Sequence, residues 1–144
     1  MKKFLVMLCV VCMVFSMGTV AFAGLEPNDT MDNATYIGKD NNLRMWGIVS
    51  SVDLEDWWYF YVNDSSPSSL TLAWIPEGQE TFSADLYLYD EGGSLLVKAP
   101  FWSYNSRLIR DYYLRAGRKY YLRVEYTSGS LTHSPYGLII SPSL

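Results

Sequence analysis

Four residues, Asp53-Leu54-Glu55-Asp56, bring three carboxylates together and run straight into Trp57-Trp58-Tyr59-Phe60-Tyr61-Val62. From Asp56 onward the side chains alternate. Trp58, Phe60 and Val62 take one face and Trp57, Tyr59 and Tyr61 the other, the period-2 signature of a β-strand. One face is apolar enough to enter a core. The other is also aromatic, and the acids just ahead of it suggest an oxygen-rich site for a cation.

The rest of the chain repeats the alternation in short pieces. Residues Gly24 to Thr30 form a polar entry segment in which Asp29 or Thr30 can cap a short helical turn at Met31–Ala34. After a turn at Asn41-Asn42, Leu43–Val49 reads as the first strand. Strands follow at Trp57–Val62, at Leu70–Trp74 and at Ala84–Tyr89. The turn Asp90-Glu91-Gly92-Gly93-Ser94 then leads into Leu95–Lys98, the clearest hairpin in the chain. Pro100–Asn105 reads as loop, and Leu108–Leu114, Lys119–Tyr126 and a last strand through Tyr136, Leu138 and Ile140 complete the series. About eight short strands with almost no helical periodicity predict an all-β, antiparallel β-sandwich of jelly-roll type.

Compartment and partners follow from the ends and the charges. Met1-Lys2-Lys3, an apolar run from Phe4 to Val20 and Ala21-Phe22-Ala23 have the form of a secretory signal peptide cleaved after Ala23. The expected organisation is a signal over 1–23, an entry segment over 24–42 and a sandwich over 43–144, with 24–144 forming one domain outside the cell and off the membrane. Both cysteines, Cys9 and Cys12, leave with the signal, so no disulfide supports the mature chain. The formal net charge of −4 becomes two units more negative without Lys2 and Lys3. That balance disfavours nucleic acid, whose phosphates need a basic footprint. Acids crowd residues 24–91 and bases crowd residues 92–144. The acidic half can attract cations, or the two halves can pair across an exposed sheet face.

The order of these features resembles the bacterial pre-peptidase C-terminal domain. Four motifs carry the likeness: Glu26-Pro27-Asn28-Asp29-Thr30, the Asp-x-x-Asp-aromatic strand at Asp53–Phe60, Asp85-Leu86-Tyr87-Leu88-Tyr89-Asp90 before a glycine turn, and Gly117-Arg118-Lys119-Tyr120-Tyr121 followed by Tyr136-x-Leu138-x-Ile140. That family is similar in turn to the collagen-binding domains of bacterial collagenases. The resemblance implies a calcium site formed by Glu26, Asn28, Asp29, Asp53 and Asp56. Calcium takes six to eight hard oxygens, and these residues supply that kind of donor. A further acid, two residues before the matching Glu in the collagen-binding relatives, is replaced here by Gly24, which counts against a second ion. The plain alternative is that these acids are solvated loop residues, with Asp29 a helix cap.

Twelve tyrosines and five tryptophans exceed what a small core requires. Trp57, Tyr59, Tyr61, Tyr87 and Tyr89 fall on outward faces, either as a binding surface or as cross-strand pairs that stabilise the sheet. Catalysis has little to work with: His133 stands alone in a Ser/Thr/Gly loop, and there is no Cys-His pair, zinc-ligand spacing or G-x-S-x-G elbow. The expectation is a non-catalytic module for adhesion to an extracellular polymer, either a fibrous protein such as collagen or a polysaccharide. The alternative is an accessory subunit docking on a secreted peptidase or another exported enzyme.

Overall fold

A computed structural model describes residues 27–40, 42–74, 82–129 and 134–142 of the protein. The expected signal over 1–23, together with Gly24, Glu26 and His133, lies outside them. Among the described residues there are ten strands: β1 Thr35–Lys39, β2 Leu43–Val49, β3 Glu55–Tyr61, β4 Ser66–Trp74, β5 Phe82–Asp90, β6 Leu95–Lys98, β7 Phe101–Ser103, β8 Ser106–Leu114, β9 Lys119–Gly129 and β10 Ser134–Pro142. They form two five-stranded sheets, ordered β1-β3-β9-β5-β6 and β2-β10-β4-β8-β7. The expected sandwich is there.

The alternation read in β3 decides what is inside. Trp58, Phe60 and Val62 are buried and meet Leu70 and Leu72 of the facing sheet in one hydrophobic core. Such side chains contribute about 1.5–3 kcal/mol each on burial, the main stabilising term for a core without disulfides. Leu86 and Leu88 of β5, Leu122 and Val124 of β9, and Tyr136, Leu138 and Ile140 of β10 fill the rest, each on the face its alternation assigns.

Two strands were not expected. Thr35–Lys39, ahead of the anticipated first strand at Leu43, joins β3 as a parallel edge, the one parallel pair in the described sandwich. Its five residues include Gly38, a poor strand former, and its register shifts there, so it carries no clean alternation. Phe101–Ser103, read as loop, pairs with β8 as a short edge strand. The alternation of β8 itself breaks at Asp111, whose φ is 54°, beside a register shift against β4. The hairpin between β5 and β6 forms as expected. Gly93 takes a left-handed φ of 80°, while the Asp90 carboxylate accepts hydrogen bonds from the backbone N–H of Gly92 and Ser94.

Candidate metal centre and aromatic face

The entry segment is stitched to the start of β3. Trp57 donates its backbone N–H to the carbonyl of Asn28 at 2.7 Å, and the Asn28 amide reaches back to the Trp57 carbonyl at 3.4 Å. The chain then loops out through a 3-10 turn, Met31–Asn33, and returns as β1 with Thr35 opposite Trp58. Thr30, not Asp29, caps that turn, its hydroxyl accepting from the Asn33 N–H. Asp29 sits exposed beside the buried Asn28.

Asp56, next to the stitched residue, is only 1% exposed. Its Oδ2 accepts a 2.5 Å hydrogen bond from the Tyr136 hydroxyl, which in turn accepts from the Trp58 indole N–H at 2.8 Å. Gly47 makes this arrangement possible, since a Cβ there would collide with the Tyr136 hydroxyl and come within 2.9 Å of the Asp56 carboxylate. Burial pushes the Tyr136 phenol well above its ordinary range, with the charge of Asp56 adding to the effect and that of Asp53 contributing less. Asp53 is held in the preceding loop: its carbonyl accepts from Ser50 N–H at 2.7 Å, and its own N–H donates to the Ser50 hydroxyl.

The structure thus brings Asn28 and Asp56 to one end of β3, with Asp53 in the loop leading into it. Among the described residues no group of three or more His, Cys, Asp or Glu stands ready for a metal. Any site must therefore draw on amide or carbonyl oxygens, or on Glu26. The donors present are hard oxygens without thiolate or imidazole, and a ligating carboxylate oriented by a second hydrogen bond is a usual feature of metal sites. The donor types are those a hard cation such as calcium takes, while the described residues do not by themselves assemble a carboxylate site.

Trp57, Tyr59, Tyr61, Tyr87 and Tyr89 all lie on the outer face of the first sheet. Three rows cross β3, β9 and β5 there: Tyr59–Tyr121–Tyr89, Trp57–Arg123–Tyr87 and Glu55–Glu125–Asp85. The Trp57 and Tyr89 rings meet over β9 at 5.0 Å between centroids. Arg123 lies between Trp57 and Tyr87, 4.4 Å from the Tyr87 ring centre, and pairs with Glu55 and Glu125. Its Nε makes no hydrogen bond among the described residues. Tyr87 donates to Glu125 at 2.6 Å, and burial followed by that acceptor raises its phenol above the ordinary value. The expected pairing of the acidic and basic halves appears across this face in Arg123–Glu55 and Lys98–Asp85, while Arg107 of β8 reaches Asp85 from the second sheet and Arg118–Glu91 joins two turns.

Toward the β1 edge the rings are more open. Tyr36, half exposed, lies 5.1 Å from Tyr59 and 6.1 Å from Tyr61, and Tyr121 adds a ring 5.9 Å from Tyr59. Lys119 sits over Tyr59 and Tyr121, with its ammonium 4.1 and 4.4 Å from their centres. Sequence reasoning left Tyr36 out because β1 was not read as a strand. Tyr121, Arg123 and Lys119 were also absent from the candidate set. For Tyr121 and Arg123 the alternation of β9 gave the face, but nothing in it revealed that β9 lies between β3 and β5.

No family model matches the chain, and no curated protein matches it. Among solved structures, it superposes on the pre-peptidase C-terminal domain of collagenase from Bacillus anthracis with a TM-score of 0.58 and 19% identity, covering 73% of this chain and 91% of that one. The periplasmic inhibitor of g-type lysozyme PliG from Aeromonas hydrophila gives 0.40 at 11% identity, covering 75% and 97%. A β-glucosidase from Paenibacillus barengoltzii gives 0.37 at 13% identity, covering 85% of this chain and 12% of that one. The two-sheet sandwich, with its entry segment tied to the aromatic strand β3, therefore has the fold of a pre-peptidase C-terminal domain.

Proposed function

We propose that the chain is a secreted, non-catalytic module, clasped by calcium, that adheres to an extracellular polymer through the outer face of its first sheet. The observation that carries this reading is the cluster Tyr36, Tyr59, Tyr61 and Tyr121 around Lys119, which presents rigid rings with polar tips on the outer face of the sheet. A fibrous protein suits such a face, and the collagenase origin of a domain with this fold makes collagen the first polymer to try. Retention on insoluble collagen fibres is expected, with Tyr59→Ala reducing it about tenfold. A protein that washes through collagen, other fibrous proteins and insoluble polysaccharides alike refutes the adhesive reading.

Glu26, Asn28, Asp29, Asp53 and Asp56 would hold the ion, which supplies positive charge to a pocket of oxygens and ties the entry segment to β3. Tyr136 would orient Asp56 by holding its Oδ2. Calcium binding the folded form alone raises stability by RT ln(1 + [L]/Kd), about 1.4 kcal/mol at ~10 mM for a Kd of ~1 mM. The melting temperature is expected to climb with added calcium in the parent and to stay flat in Asp53→Ala and Asp56→Ala. A parent melting curve that ignores calcium rejects the clasp.

A further inference from the structure

The outer face of the second sheet holds a groove that the aromatic face does not account for. It has a volume of about 590 Å³ and crosses the strands from Trp46 on β2 to Asn105 just before β8. Trp46, Gly137 and Ala73 face one another across β2, β10 and β4, so the floor is one indole ring and two positions with almost no side chain. The indole lies directly over Gly137, where an added Cβ would come within 3.1 Å of it, yet the ring is 63% exposed. Pro135 and Ile139 form the walls. Arg44 stands exposed at the rim, and among the described residues it has no ion-pair partner and no carboxylate lines the groove.

We propose that this groove binds a proline-rich segment in polyproline II conformation, with an acidic residue of that segment meeting Arg44. A sugar chain would bring many hydroxyls into a trough whose polar side chains are Arg44 and Asn105, and hydroxyls removed from water without partners are costly. Proline has no backbone N–H to leave unpaired, its ring packs flat on an indole, and its extended conformation exists before binding. The span from β2 to β8 is three strand spacings, about 14 Å, which matches four or five residues of polyproline II at about 3.1 Å each. The positive rim supplies the charge complement.

The test is fluorescence anisotropy of the purified protein with a short labelled oligoproline carrying one central glutamate. Saturable binding is expected, weakened about tenfold or more by Trp46→Ala and abolished by Ala73→Arg, which fills the floor from an outward position. Arg44→Gln should weaken it about threefold, with less effect at high salt. Thermal melting of the same variants confirms that they fold. Binding that survives Trp46→Ala or Ala73→Arg overturns the proposal, as does the absence of saturation up to about 1 mM peptide. So does concentration-dependent self-association lost in Trp46→Ala, which would give the face to a second copy of the chain. Capture of a neutral oligosaccharide such as cellohexaose, in place of the peptide and dependent on Trp46, would overturn it equally. Because collagen is itself built of proline-rich polyproline II chains, its retention is read in both variants: loss in Tyr59→Ala belongs to the first sheet and loss in Trp46→Ala to the groove, so failure of either reading is seen separately.

Discussion

The two outer faces of the sandwich rest on the same core and use their residues in opposite ways. On the first sheet, aromatic rings and charges are turned on one another: Trp57 is 9% exposed beneath Tyr89 and Arg123, and the acids of the crossing rows each meet a cation or a phenol. On the second sheet, the outward positions of the described strands carry only Arg44, Arg110 and Asp111 as charges, and Trp46 stands open on a floor of small residues. A tryptophan on an outward strand position is thus not one kind of residue. Its neighbours across the sheet decide whether it serves stability or remains available to a ligand.

The largest test of that contrast compares the two tryptophans. Trp57→Ala removes a ring packed on both sides and should cost about 3–5 kcal/mol in urea unfolding. Trp46→Ala should cost less than about 1 kcal/mol, because most of that ring already faces water. Equal costs would erase the distinction between the faces. A smaller effect should separate the arginines. Arg123→Ala leaves Glu55 and Glu125 without their shared cation and uncovers Trp57 and Tyr87, a loss of about 2–3 kcal/mol. Arg44→Ala should stay within about 0.5 kcal/mol.

The contrast also marks where the sequence is legible. Within one strand, period 2 is enough: the inner and outer residues of β3, β5 and β9 could be assigned without coordinates, because a one-residue slip of β3 would expose Trp58 and Phe60 together, and one of β5 would expose Leu86 and Leu88. Between strands it is silent. That Arg123 lies between Trp57 and Tyr87 depends on β9 entering between β3 and β5, an adjacency set by the whole topology. The same holds for Tyr136 and Asp56, joined by one hydrogen bond across 80 residues of sequence. The entry motif could be located from its residues, but in the stitch between Asn28 and Trp57 only the Asn28 amide is a side-chain group, and its partners on both sides are backbone groups, which every residue has. Trp46 falls within the strand read at Leu43–Val49, where nothing in the sequence sets it apart. What distinguishes it is Gly137 beneath it, ninety-one positions later.

The smallest expected effect is a dependence on pH that only the charged face should show. Burial alone would raise the carboxyl of Asp85, but hydrogen bonds from Lys98 and Arg107 hold it below the ordinary value, with their charges helping. A carboxyl depressed in the folded state stabilises it above the unfolded pKa of about 3.9, and that contribution disappears as pH falls through the folded value. The parent should therefore be more stable than Asp85→Asn at pH 6, and the gap should narrow below pH 4 as the parent's carboxylate takes up a proton. Lys98 is half exposed, so salt screens part of its share, while Arg107, with its side chain 10% exposed and stacked between Trp74 and Phe101, is screened less. Unfolding curves at low and high salt on both sides of pH 4 separate the two partners. A gap independent of pH would mean that Asp85 contributes through its shape and hydrogen bonds instead of its charge, and the first face would then differ from the second in packing alone.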